Sequence, residues 1–153
     1  YQPITKRFID EEWSRMSDVG CQKIWKTKRT KNKKMAFKFE QLRVWQKSLE
    51  LTSLVHNTTK LFPKDELFVL TSQIKRAADS VNLNIAEGST GQSNKEFVKF
   101  LRYSLRSNIE VVSCIFIAKE RDIISKENFE KIYSMSEEIL AMISALIKRL
   151  ENE

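Results

Sequence analysis

Apolar residues recur at helical spacing through four long stretches of this chain, separated by short polar or proline-containing breaks. The first predicted helix covers about 39–61, with Leu42, Trp45, Leu49, Thr52 and His56 along one stripe and Val44, Leu51 and Val55 beside it. It should end ahead of Phe62 and Pro63, because the residue before a proline avoids the helical region. The second covers about 65–87, with Leu67, Leu70, Ile74, Ala77, Ala78, Val81 and Ile85 in register, and stops at Gly88. Ser93 through Glu96 reads as a capping box, in which the serine hydroxyl and the glutamate serve each other's backbone N–H. It opens a third helix over about 94–121, whose expected inward stripe is Phe97, Leu101, Leu105, Ile109, Val112 and Phe116. Ser125 then caps a fourth helix over about 126–150, with Phe129, Ile132, Met135, Ile139, Met142, Ile143 and Leu146 facing inward.

Long helices joined by short connections pack as antiparallel neighbours. The expected fold is therefore all-α, an up-down-up-down four-helix bundle over residues 36–153. Residues 109–118 (IEVVSCIFIA) are apolar on most faces. That is more than a lone bundle can cover, so some of this surface is expected to meet another subunit. The second helix carries an unusual polar load in Ser72, Gln73, Arg76, Asn82, Asn84 and Glu87. Half-buried polar groups need partners. Gln73, Arg76, Asn84 and Glu87 are expected to form a structural network between helices or subunits, with a polar pocket as the functional alternative.

Composition narrows the class further. Three Gly and two Pro in 153 residues speak against a turn-rich β fold. No run approaches the roughly 18 apolar residues of a membrane span, so no membrane is expected as a partner and the cytoplasm is the expected compartment. Cys21 and Cys114 lack CxxC spacing and offer no disulfide framework. The formal charge of +7 is unevenly placed: residues 1–35 hold 10 Lys/Arg against 4 Asp/Glu, and residues 36–153 hold 17 against 16. Residues 23–34 (KIWKTKRTKNKK) form a basic run expected to be solvated, preceded by Phe8, Ile9, Trp13 and Met16 on one face of a short helix. Residues 1–35 are thus expected to be a basic, largely flexible extension, with Met35 a natural start for the folded domain.

Catalytic machinery is missing from the pattern. His56 is the only histidine, which leaves every Ser–His–Asp, Cys–His or two-histidine metal scheme short of parts. Its place on the inner stripe suggests a hydrogen-bonded core or interface residue. Gly88 and Gly91 flank a helix end without GxGxxG or GK[ST], so no phosphate loop is present. No cofactor and no metal are expected. Cations supply the sharpest signal instead: Lys95, Lys99, Arg102 and Arg106 repeat at spacings of 4, 3 and 4. At helical rise they line one face over about 16 Å, a length on which a row of cations can displace counterions from a phosphate backbone. Lys28, Arg29, Lys31, Lys33 and Lys34, with Trp25 among them to stack on a base, offer a second route to nucleic acid.

FEQLRVWQKS (39–48), FPKDELFVLTSQIKRAA (62–78), NIAEG (84–88), KEFVKFL (95–101) and SNIEV (107–111) together resemble the bacterial four-helix-bundle family encoded in intervening sequences of 23S rRNA genes. The accessory protein of diversity-generating retroelements is related to that family. The resemblance spans about 36–150 and implies a ring-shaped homopentamer of short bundles. Its retroelement branch implies a basic, non-enzymatic protein that binds nucleic acid and a reverse transcriptase, and the family supplies no catalytic residue. Two departures stand out: Arg106 replaces a glycine before Ser107, and the loop STGQSN after Gly88 lacks the family's arginine.

Two readings stay open. The first is a non-enzymatic, oligomeric nucleic-acid-associated protein holding structured RNA or a ribonucleoprotein, such as a ribosomal component, mainly by phosphate contacts. The alternative is a protein-interaction scaffold ring, for example an accessory partner of a reverse transcriptase.

Overall fold

Proline 63 stops the first helix, and the break it makes shapes the start of the second. The computed structural model describes residues 37–91 and 93–152, all within one compact unit, Met35–Glu153. The expectations placed on residues 1–35, including Lys28, Arg29, Lys31, Lys33 and Lys34, lie outside the described residues. Four helices form the bundle: α1 (Arg43–Thr59), α2 (Ser72–Ser89), α3 (Asn94–Glu120) and α4 (Lys126–Glu151). Each packs on the next in sequence and α1 also packs on α4, which closes the up-down-up-down arrangement. The core runs along the axis through Leu51, Ile74, Ile85, Leu101, Ile115, Ile132, Ile139 and Ile143, all fully buried.

Where the helices begin and end follows local chemistry. Leu42 is extended (φ −76°, ψ 115°), so a single 3-10 turn at Lys38–Gln41 precedes α1 in place of a continuous helix from 39. Ser93 Oγ accepts from the Glu96 N–H and Ser125 Oγ from the Asn128 N–H, both at 3.2 Å, as N-caps should. At the other end of α3, Asp122 takes φ 55°, and the Ile123 N–H donates to the Ala118 carbonyl at 3.0 Å. That is a Schellman closure with aspartate in the left-handed position usually given to glycine.

Three expected registers are corrected. In α1 the buried row is Val44, Ser48, Leu51, Val55, Thr58 and Thr59, and His56 is exposed. Ser48 sits in this row at little cost because its Oγ donates to the Trp45 carbonyl (2.7 Å) and accepts from Asn82 Nδ2 of α2 (2.9 Å). In α3 the buried row is Val98, Leu101, Ser104, Asn108, Val111, Cys114, Ile115 and Ala118. Ile109 and Phe116 face outward, at 58% and 49% exposure. Ser104 Oγ donates to the Val81 carbonyl (2.9 Å) and Asn108 Nδ2 to the Ser136 carbonyl (2.8 Å). Partnered polar groups thus take inward positions that hydrophobicity alone assigns elsewhere.

The third correction concerns the start of α2. Residues Lys64–Glu66 form a 3-10 turn and Leu67–Thr71 a wide π-helical turn before regular α-geometry begins. The change of pitch buries Leu70 and Thr71 and leaves Leu67, Phe68 and Val69 facing out, Phe68 at 88% exposure.

Gly88 sets how closely α2 approaches α3. A Cβ there would lie 2.5 Å from Phe100 Cβ and 2.9 Å from Phe97 Cδ2. The first is anchored directly to the α3 backbone and the second belongs to a half-buried ring, so there is little slack. Gly88→Ala should therefore destabilise the fold by about 1–3 kcal/mol, read as a lowered midpoint in chemical or thermal denaturation. An unchanged midpoint would show that the two helices separate freely.

Candidate nucleic-acid interface

The N-cap at Ser93 starts α3 so that its exposed face carries two kinds of surface in succession. Lys95, Lys99, Arg102 and Arg106 are all exposed along its first half. Ile109, Phe116 and Ile117 follow along the second half, Ile117 at 42% exposure. Among the described residues only Arg102 of the four cations has a carboxylate partner, Glu151 at the C-terminal end of α4 (2.8 Å). Asn94 Nδ2 donates to the Leu150 carbonyl at 3.4 Å, which holds the same two helix ends together. Both members of the Arg102–Glu151 pair are largely solvated, so the pair masks a charge more than it stabilises the fold.

Tyr103 lies inside this row and was not among the residues expected from the sequence, where its spacing was the one signal for it. It follows Lys99 by four residues and precedes Arg106 by three, offsets that place side chains side by side on a helix. The Lys99 ammonium lies 5.9 Å and the Arg106 guanidinium 6.0 Å from the ring centroid. Phe100 meets the ring edge-on at 6.0 Å. Since Phe100 is the residue wedged against Gly88, the aromatic pair rests on the α2–α3 contact.

The polar network expected on α2 is divided. Gln73 Nε2 donates to Glu110 Oε1 of α3, and Gln73 Oε1 accepts from Arg76 Nη2 at 2.7 Å. Asn84 belongs elsewhere: its Nδ2 donates to the Ser80 carbonyl (2.7 Å) and Oγ (3.0 Å), and Ser107 Oγ donates to Ser80 Oγ at 3.0 Å. Arg76 and Glu87 are exposed, so Glu87 is no part of a buried array. The expected set lay on α2 alone. It carried no information about which residue of α3 stands opposite, and Glu110 is that residue.

Arg76 and Gln73 of this chain border an open groove of about 410 Å³, walled also by Phe68, Val69 and Ile117. Arg121 Nη1 donates to both oxygens of Glu66 (2.8 and 2.9 Å), fastening the turn that presents Phe68 to the end of α3. Cys114 lies at the base of this groove at 3% exposure. Burial pushes its thiol pKa up, and the nearby Glu110 carboxylate adds to the rise. Across the bundle, the hydrogen bond from Lys47 to Glu138 (2.7 Å) raises the Lys47 pKa. No group of three His, Cys, Asp or Glu suited to a metal occurs among the described residues. No helix there is long and apolar enough to cross a membrane.

Because folding raises the Cys114 pKa, the native state favours the protonated thiol. That contribution is whole below the unfolded thiol's pKa and is lost as pH climbs through the raised value. In a Cys21→Ser variant, Cys114 should resist alkylation at mildly alkaline pH and react once urea unfolds the chain, followed by mass spectrometry. Prompt labelling of the folded protein would show that the groove floor opens.

The family model described as 23S rRNA-intervening sequence protein matches residues 40–145. A solved structure from Bacteroides thetaiotaomicron, described as a protein of unknown function from the S23 ribosomal protein family, is 30% identical. The match covers 69% of this chain and 98% of that one, with a TM-score of 0.64. No curated protein matches the sequence.

Proposed function

We propose, from a chain that belongs to the 23S rRNA-intervening sequence protein family, a non-enzymatic protein that associates with nucleic acid through the outer face of α3. The observation that carries this reading is the exposed row Lys95, Lys99, Arg102 and Arg106. Four cations over about 16 Å match the spacing of several phosphates, and releasing condensed counterions supplies the affinity. Contacts of this kind read charge and shape, which suits structured RNA or a ribonucleoprotein. The basic residues of 1–35 add a second, sequence-independent attraction.

If the row binds phosphates, Lys99→Glu with Arg106→Glu should weaken retention of an RNA probe about tenfold or more and lower the slope of log K against log salt by about two. Glu151→Gln, which releases Arg102, should strengthen binding and steepen the slope. Gel shifts or anisotropy titrations at several salt concentrations read both. Binding indifferent to all three changes would sink the proposal.

A second reading, a scaffold that assembles with other chains, draws on the exposed apolar turn at Leu67, Phe68 and Val69. A ring of copies joins two different patches head to tail. The Phe68 turn supplies one patch, and Leu49 with Leu83, at 39% and 63% exposure between α1 and α2, supplies the other. Five copies, as the family resemblance implies, would multiply the basic row through avidity. Phe68→Ser should lower the native mass in light scattering while leaving the melting temperature within a few degrees, because the side chain is outside the core. An unaltered mass would remove this turn from the assembly.

A further inference from the structure

We infer that the α3 face binds unpaired nucleotides, with Tyr103 as the platform on which one base stacks. This rests on the nucleic-acid reading and adds to it what the ligand must be. A phosphate-only interface has no use for an aromatic ring. Yet Tyr103 stands in the middle of the cation row, 38% exposed, with Lys99 and Arg106 against it at 5.9 and 6.0 Å. Phe100 braces the ring from inside at 6.0 Å, so the ring holds its orientation without a ligand.

The exchange on binding favours a single strand. In the free protein the two cations rest on the ring, an arrangement of small worth at an exposed site. An incoming strand gives each cation a phosphate and gives the ring a base, and both new contacts are stronger than those lost. A duplex cannot make the second contact, because its base faces are hidden in the stack and a ring on a helix surface does not reach them. It can satisfy only the cations. Selectivity for looped or single-stranded segments follows from Tyr103, while overall affinity follows from the charges.

The test uses the full chain and three fluorescein-labelled probes of equal length: oligouridylate, oligothymidylate and a blunt RNA duplex, titrated by anisotropy at fixed salt. Tyr103→Leu should weaken both single strands by about 5- to 100-fold and leave the duplex within about twofold. Tyr103→Phe should restore single-strand binding, and neither variant should change the salt slope. Equal loss for uridylate and thymidylate makes the base face the recognised element; a loss confined to uridylate would put the contact on the ribose 2′-hydroxyl and overturn stacking. If Tyr103→Leu weakens no probe, or weakens the duplex as much as the single strands, the inference is overturned while the phosphate reading stands. If the wild-type chain binds none of the three, the phosphate reading falls and this one falls with it.

Discussion

The close approach of α2 to α3 at Gly88 is the constraint on which the rest of the molecule depends. With no Cβ at that position, the rings of Phe97 and Phe100 press directly on α2. Ala77 and Ala78 are buried on α2 as well, and Ser104 donates across to the Val81 carbonyl. Small residues and a satisfied hydroxyl bring the two axes together, and dispersion along the seam then accumulates atom by atom. The consequence reaches the surface: Phe100, fixed from beneath, fixes Tyr103, and the rotation of α3 about its axis decides which of its residues solvent can reach.

That rotation gives α3 a divided outer face. Lys95, Lys99, Arg102 and Arg106 occupy its first half and Ile109, Phe116 and Ile117 its second. One rigid element thus presents an electrostatic surface beside an apolar one, in register by construction. The turn at Leu67–Thr71 extends the apolar part, since the change of helical pitch after Pro63 turns Phe68 outward and the Glu66–Arg121 contact ties the turn to the end of α3.

Charge is adjusted locally within this frame. Glu151 meets Arg102 only because α4 ends beside the start of α3. Lys47 and Glu138 join α1 to α4 in the same manner, on a less exposed surface where the hydrogen bond raises the lysine pKa. In each case the partner comes from a distant part of the chain. Burial does the opposite work at Cys114, where exclusion of water disfavours the thiolate.

Much of this was legible in the chain. Helical periodicity located all four helices, and Ser93 and Ser125 marked two starts, because apolar spacing and N-cap chemistry are local properties that a helix expresses wherever it packs. The cation row was likewise visible, since residues at spacings of 4, 3 and 4 share a face whatever lies behind it. What local pattern left open was rotation and pairing. Ser48, Ser104 and Asn108 enter the core because carbonyls of other turns and helices receive their hydrogen bonds, which displaces His56, Ile109 and Phe116 to the surface. Gln73 finds Glu110, Ser107 finds Ser80, and Arg102 finds Glu151 for the same reason: each partner is set by how helices abut, and that is decided only when the bundle closes around its buried polar groups.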